Sequence, residues 1–285
     1  MDIADNPNFA RGITMATSLP VLIEPEQLAR HLDDKLVLIV DMRSPDAYTK
    51  GHIPGAVNLA YVNIIRPLPP AMGMAPDSAQ LSAVLSSIGL TSESHIVAYD
   101  DEGGGRAGRL LWTLDALGHQ GLSLLNGGLH GWVAQGRALE QQSNRPELSG
   151  YKADFVNPDV MADKDYIVQQ LGRADFLPVD ARSPQEYSGE DVRAARGGHI
   201  PGAANFNWVE AIDRDNELRF FDDATLERLL QTRGITRDKE IVLYCQTHHR
   251  SSHTYMVLKH LGYPRIRGYA GAWSEWGNDP NLPIE

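Results

Sequence analysis

The feature that most constrains this chain is that it repeats itself. LIVDMRSPDAY (38–48) reads against LPVDARSPQEY (177–187), GHIPGAVN (51–58) against GHIPGAAN (198–205), and IVAYD (96–100) against IVLYC (241–245). The partners stand 139 residues apart at the first block (41 and 180), 147 at the second (52 and 199) and 145 at the third (96 and 241). The blocks keep their order. The second copy has an insertion near GEDVRAARG (189–197) and a two-residue deletion later. One folding plan must therefore serve both halves, and 285 residues comfortably hold two domains. Between the copies, EQQSNRPELSG (140–150) is polar and rich in turn formers, which is the signature of a linker. The expected organisation is a domain at 19–140, a linker at 141–155 and a second domain at 156–285.

Each half alternates short apolar runs with helical patterns. FLPVD (176–180) and EIVLYC (240–245) read as buried strands ending in a polar residue. DDATLERLLQTRG (222–234) reads as a helix with Asp222 or Asp223 as its N-cap, a stripe of Leu226, Leu229 and Leu230, and Gly234 at its C-terminal end. SSHTYMVLKHLG (251–262) reads as another, opened by serine and closed by glycine. Strands alternating with helices predict an α/β fold in each half, a parallel sheet flanked by helices on both faces. Ligands of such sheets bind beyond the carboxyl ends of strands, and Cys245 stands at such an end.

Composition narrows the function. A net charge of −11 repels phosphates over most of the surface, so nucleic acid is not an expected partner. An anionic substrate needs a local positive pocket. The sequence contains no apolar run long enough for a membrane span and no secretory signal pattern. Residues 1–14 carry no periodicity and read as a leader, with Met15 an alternative start. A single cysteine forms no intramolecular disulfide and points to a reducing compartment, hence a cytoplasmic protein. A monomer is the default expectation.

That cysteine opens the loop Cys245-Gln-Thr-His-His-Arg250. Turning the chain from strand to helix in so few residues points backbone N–H groups inward as an anion nest, and the helix start adds partial positive charge. A thiol there falls from about 8.5 toward roughly 3.5–7.5. Most free cysteines are small buried apolar residues. This one precedes three cationic or titratable side chains, so it reads as a nucleophile.

The paired D-x-R-S-P-x-x-Y and G-H-I-P-G-A blocks, the tandem repeat and a cysteine opening a short loop resemble the rhodanese family, and most of all its two-domain bacterial thiosulfate sulfurtransferases. The likeness covers nearly all of the chain after Leu19. The loop CQTHHRS departs from the C-G-[ST]-G-V-T of mercaptopyruvate sulfurtransferases and the C-R-K-G-V-T of animal rhodaneses, so substrate choice does not follow by motif. It resembles one subgroup of bacterial tandem rhodaneses. The resemblance implies that the Cys245 thiolate takes the outer sulfur of thiosulfate, an anionic small-molecule donor, releasing sulfite. The resulting persulfide passes its sulfur to cyanide or to another thiol or protein. No cofactor enters this route. The loop residues Gln246, Thr247, His248, His249 and Arg250 are the expected substrate contacts. The family also uses an arginine at the position of Arg182.

Arg250 is a planar fork suited to an oxyanion, placed where the helix dipole disfavours a cation. Arg182 is expected to reach the same crevice, although Arg43 holds its place in the first copy and a shared structural role competes. Asp180 and Glu186 read as structural. Trp273 and Trp276 line the crevice or simply pack. A metal site from Cys245, His248, His249 and His253 is set aside, because the compact loop aims these side chains apart and no second ligand pair follows. In the first copy Asp100 takes the cysteine's place within YDDEGGGRAGR (99–109). It cannot carry sulfur and repels thiosulfate, so that domain is expected to be non-catalytic, its glycines giving a floppy loop. A metal on Asp100 and Asp101 lacks further ligands. The rivals are a mercaptopyruvate sulfurtransferase, a persulfide carrier without turnover, and a cysteine phosphatase or arsenate reductase. The last is disfavoured by a C-x4-R loop, one residue shorter than the C-x5-R of phosphatases of the same fold.

Overall fold

The computed structural model describes residues 19–285, so the leader at 1–14 lies outside the described residues. It contains two five-stranded sheets. The first is built from Leu22–Ile23, Val37–Asp41, Val57–Asn58, His95–Tyr99 and Leu122–Leu125, and the second from Met161–Ala162, Phe176–Asp180, Ala204–Asn205, Glu240–Tyr244 and Ile266–Tyr269. Numbered in chain order, the strands of both sheets lie as 1-5-4-2-3, and every pairing is parallel. The central registers also match, with Asp41 beside Tyr99 and Asp180 beside Tyr244.

The repeated residues explain why two copies keep one plan. Asp41 accepts from Arg43 Nη2 at 2.6 Å and from the Tyr99 hydroxyl at 2.7 Å, while Arg43 also donates to the Gly51 carbonyl at 2.7 Å. In the second copy Asp180 accepts from Arg182 Nη2 at 2.6 Å, and Arg182 donates to the Gly198 carbonyl at 2.7 Å. Tyr48 and Tyr187 donate to the carbonyls of Ala56 and Ala203, both at 2.7 Å. Asn58 and Asn205 each donate to the two carbonyls flanking the aspartate strand tip. These groups are almost all buried, and a buried polar network is stable only when its members are satisfied together. The most strongly repeated side chains are thus scaffold.

The helix 222–234 forms as Asp223–Gln231, with the Asp222 carboxylate accepting from Thr225 N at 3.0 Å and with Leu226 and Leu230 fully buried. The next helix, Arg250–His260, starts one residue before Ser251, after His249. It is buried from Ser251 through Leu258 because it lies against the first domain's helix Gly105–Ala116. The two backbones approach so closely that a Cβ on Gly108 would come within 2.9 Å of the Ser252 carbonyl oxygen. One apolar cluster runs through this contact, joining Ile96, Leu110, Leu111 and Trp112 to Leu243, Tyr255, Met256 and Val257. The segment 141–155 carries no regular structure and lies along the first domain, with Ala153 N donating to the Ser82 hydroxyl at 2.9 Å and Asn144 N to the Tyr48 hydroxyl at 3.0 Å. No helix among the described residues is long and apolar enough to cross a membrane.

Candidate active site

The strand Glu240–Tyr244 delivers Cys245 to the carboxyl edge of the second sheet, and the chain re-enters helix at Arg250. The turn is made possible by His248, which adopts a left-handed conformation with φ +55°. Hydrogen bonds clamp both ends of the loop. Trp273 N donates to the Cys245 carbonyl at 2.9 Å and Ser274 N to the Gln246 carbonyl at 3.0 Å. The Ser252 hydroxyl donates to the His248 carbonyl. Inside the turn the N–H groups of Thr247 and Ser251 and the Ser251 hydroxyl act on the Cys245 thiol and lower it. The residue is only 1% exposed. Burial pushes the thiol up, but the Arg250 cation and these donors outweigh it, so the thiol lies below its ordinary value. The loop therefore stabilises the thiolate.

Arg250 is held as a fork. Its Nη1 and Nη2 donate to the two oxygens of Glu186 at 2.5 and 2.8 Å. Glu186 is buried. Burial alone would raise its carboxyl, but Arg250 outweighs it and the group lies at about 2. Glu186 also accepts from Ser183 N, so the cation beside the sulfur is tied to the helix Pro184–Ser188. In the first copy Ala47 stands at the position of Glu186, Gly105 at that of Arg250 and Asp100 at that of Cys245. Anchor, cation and nucleophile are present together in one copy and absent together from the other.

The equivalent loop of the first domain already contains its anion. The Asp100 carboxylate turns back and accepts from Glu102 N at 3.1 Å, Gly104 N at 2.8 Å and Ala107 N at 3.0 Å. The nest is filled by its own side chain. Its glycines are not floppy: Gly103, Gly104 and Gly105 are all buried, and a Cβ on Gly105 would meet the His249 ring at 2.7 Å. Asp101 pairs with Arg106 at 3.2 Å. Among the described residues no group of three or more His, Cys, Asp or Glu could hold a metal ion.

The first domain also reaches the cysteine loop directly. Arg109 is fully buried and donates to the Gly73 carbonyl at 2.7 Å and, weakly, to the carbonyls of Thr247 and His248 at 3.4 Å. Gly73 itself lies so close that a Cβ there would sit 2.6 Å from the Thr247 carbonyl carbon. Met72 N donates to the Ser274 hydroxyl at 3.0 Å. At the opening, the His249 ring lies 2.5 Å from Glu102 Oε1 and is flanked by Tyr61 and Trp208, with ring centroids at 5.3 and 6.3 Å.

The expected contacts thus separate. Thr247, His249 and Arg250 surround the sulfur or its opening. Gln246 turns its amide to the Arg193 carbonyl at 3.0 Å, tying the loop to the insertion 189–197. His248 points to the rear, edge-on to Trp112 with centroids 4.3 Å apart. Arg182 is fully buried between Asp180, the Gly198 carbonyl and the Trp273 ring, its Cζ 4.5 Å from that ring's centroid, in the same pairing that Arg43 makes with Asp41 and Gly51. Trp273 and Trp276 are fully buried and pack. Glu186, read from sequence as structural, anchors the site cation. Its signal was the charge gained relative to Ala47. Tyr61, Glu102 and Arg109 carried no signal, because they meet the loop only across the contact between the two domains.

A model of the rhodanese-like domain matches residues 24–135 and again 163–279. The chain is 47% identical to a thiosulfate sulfurtransferase of Azotobacter vinelandii, over 94% of this chain and 98% of that one. It is 44% identical to a thiosulfate sulfurtransferase of Pseudomonas aeruginosa, over 96% of this chain and all of that one. Among solved structures it resembles the anaerobic ergothioneine biosynthesis enzyme of Chlorobium limicola, with a TM-score of 0.82 and 23% identity over 93% of this chain and 70% of that one, a likeness of fold.

Proposed function

Since this chain belongs to the rhodanese family, we propose that its second domain moves the sulfane sulfur of thiosulfate to a thiophilic acceptor through a persulfide on Cys245. One observation carries this reading: the only thiol of the chain sits at the centre of an N–H-lined turn beside an anchored cation. The Cys245 thiolate attacks the outer sulfur of thiosulfate, the sulfur–sulfur bond breaks, and sulfite leaves with the electron pair. A second anion, such as cyanide, then attacks the outer sulfur of the persulfide and regenerates the thiolate. Every species on the route is an anion. The protein's contribution is preorganised donors: the N–H groups of Thr247 and Ser251 and the positive charge of Arg250. His249 and Arg250, partly exposed at the opening, are the proposed contacts for the departing sulfite.

In this reading the first domain is non-catalytic and serves as a wall of the site, because Asp100 occupies its own nest and Gly73 and Arg109 brace the second domain's loop. The phosphatase reading loses support from the same geometry. A nest closed around one buried sulfur leaves little room for a tetrahedral phosphate. The proposal includes a monomer in the cytoplasm, with a thiol or a protein as a possible acceptor.

The test is the intact mass of wild type and Cys245→Ala after thiosulfate treatment, with sulfite release followed in parallel. A gain of about 32 Da on the wild type alone, removed by cyanide, is expected for a sulfur-carrying nucleophile. An adduct with mercaptopyruvate but none with thiosulfate would move the substrate. No adduct with either would overturn the reading.

A further inference from the structure

We propose that Ser251 is a catalytic residue: its hydroxyl, oriented by the Nδ1–H of a neutral His248, donates to the Cys245 sulfur throughout the transfer cycle. The inference rests on the sulfurtransferase reading of Cys245 and adds to it a side-chain donor whose direction is set from behind the loop.

The geometry begins at His248. Its Nδ1 lies 2.8 Å from the Ser251 hydroxyl oxygen, and both residues are fully buried. The far side of the ring presses on Gly268, where a Cβ would collide with His248 Nε2 and come within 2.5 Å of Trp112 Nε1. Among the described residues His248 Nε2 has no hydrogen-bond partner, and the Trp112 indole N–H beside it is already given to the Val160 carbonyl at 3.0 Å. The groups around the ring also disfavour an imidazolium, since burial lowers its pKa well below the usual value and Arg109 and His249 act in the same direction.

A neutral imidazole carries one N–H. On Nε2 it would be a buried donor with nothing to accept it, and orphaned N–H groups are rarer and costlier than orphaned acceptors. The proton therefore sits on Nδ1 and is donated to the Ser251 oxygen. With that lone pair taken, the serine proton is free for the adjacent anion, the Cys245 sulfur. The other tautomer would draw the serine proton to Nδ1 and turn an oxygen lone pair toward the thiolate. Everything that fixes the ring also fixes this polarity: the left-handed backbone at His248, the Ser252 hydroxyl and Arg109 on its carbonyl, and the Trp112 edge.

In the reaction the donor never gives up its proton. When the thiolate attacks, a new bond forms to the sulfane sulfur and the old bond to sulfite breaks with its electron pair. The negative charge now rests on the persulfide. When cyanide removes the outer sulfur, the pair returns to Cys245, and the Ser251 hydroxyl again faces a thiolate. His248 is a positioning residue in this scheme and does not touch the substrate.

The experiment compares wild type, S251A, H248N and H248L. It follows the pH dependence of Cys245 alkylation by iodoacetamide, the rate of sulfite release from thiosulfate, and the 15N–1H correlations of the His248 ring. Losing a hydrogen bond to a charged group corresponds to about one pKa unit or more, so S251A is expected to raise the thiol by that amount and slow sulfite release about tenfold. H248L is expected to follow S251A. H248N keeps an N–H where Nδ1 stood and is expected to recover part of the loss. The ring spectrum is expected to show the Nδ1–H form. An Nε2–H tautomer, or a thiol unmoved in S251A, overturns the assignment. Alkylation needs no sulfur donor, so it separates this failure from the other: a wild type that alkylates as expected but releases no sulfite overturns the sulfurtransferase reading itself, and the role in transfer with it. Urea midpoints of each variant identify any that fail to fold.

Discussion

Replacing Gly73 with alanine should disable a cysteine that lies in the other domain. The hairpin Arg66–Leu68 and Ala71–Met74 presses its backbone onto the cysteine loop. A Cβ at Gly73 would stand 2.6 Å from the Thr247 carbonyl carbon, closer still to its oxygen, and 2.8 Å from the Ala270 carbonyl oxygen, against ordinary contacts of 3.4–4 Å. Both neighbours are backbone, so no side chain can swing aside. Relief to an ordinary contact requires Thr247 and the hairpin to part by more than 1 Å. The Thr247 N–H is one of the groups that lower the Cys245 thiol, and a misplacement of about 1 Å can cost about 100-fold in rate. Overpacking of this kind costs about 1–3 kcal/mol in stability. The expected result for Gly73→Ala is therefore a large fall in the rate of sulfite release with the chain still folded. The rate is measured under single turnover with thiosulfate, and stability by urea unfolding. Met72→Ala is the control, because its side chain is exposed and its N–H bond to Ser274 is kept. A Gly73→Ala variant that releases sulfite at the wild-type rate would refute the idea that the first domain sets the loop. A loss of stability with no loss of rate would refute it equally.

Glu186→Gln should lose stability that depends on pH. The carboxyl lies at about 2 in the folded chain against an ordinary 4.5, which is worth about 3 kcal/mol. A depressed carboxyl stabilises above its unfolded value and loses that contribution as pH falls through the folded one. The gap between wild type and Glu186→Gln is therefore expected to be full above pH 4.5 and to close toward pH 2, read from urea midpoints. A gap independent of pH would contradict the Glu186–Arg250 pairing. Asp100→Ala removes the acceptor of three N–H groups and is expected to cost about 2–4 kcal/mol without creating sulfur transfer, checked by thermal unfolding and by the mass adduct. Arg182→Met and Arg43→Met are expected to destabilise alike, by about 3–5 kcal/mol, because each leaves a buried aspartate unpaired. A selective loss of activity in a stable Arg182→Met protein would restore Arg182 to the substrate.

How much of this was legible in the chain follows from where each constraint acts. The two domains, their parallel sheets and the place of the thiol at a strand tip were readable because their signals are local. Strand, cysteine, short loop and helix are consecutive, and the Asp222 cap and leucine stripe lie within one helix. The duplicated blocks were readable too, and at Arg182 they marked a buried pairing with Asp180. Repetition marks what both copies need, which is the buried network of aspartate, arginine, tyrosine and asparagine. The proposed chemistry rests where the copies differ, at Cys245, Arg250 and Glu186. Glu186 is 64 residues from its partner in the chain, and the charge gained there relative to the first copy meant nothing until the fold closed that distance.

Sequence alone determined that one plan is folded twice and that one thiol stands at a strand tip before a helix, because periodicity, caps and turns act over a few residues. Only the tertiary structure decided which side chains turn toward the sulfur. His248 went to the rear and became the brace of Ser251, since a left-handed residue in so tight a loop throws its side chain against the neighbouring backbone, here Gly268. The first domain, chemically silent in sequence, supplied Gly73, Glu102 and Arg109 to the loop's outer wall. That wall exists because the helices Gly105–Ala116 and Arg250–His260 bury their contact face against each other and bring the first domain over the second domain's loop.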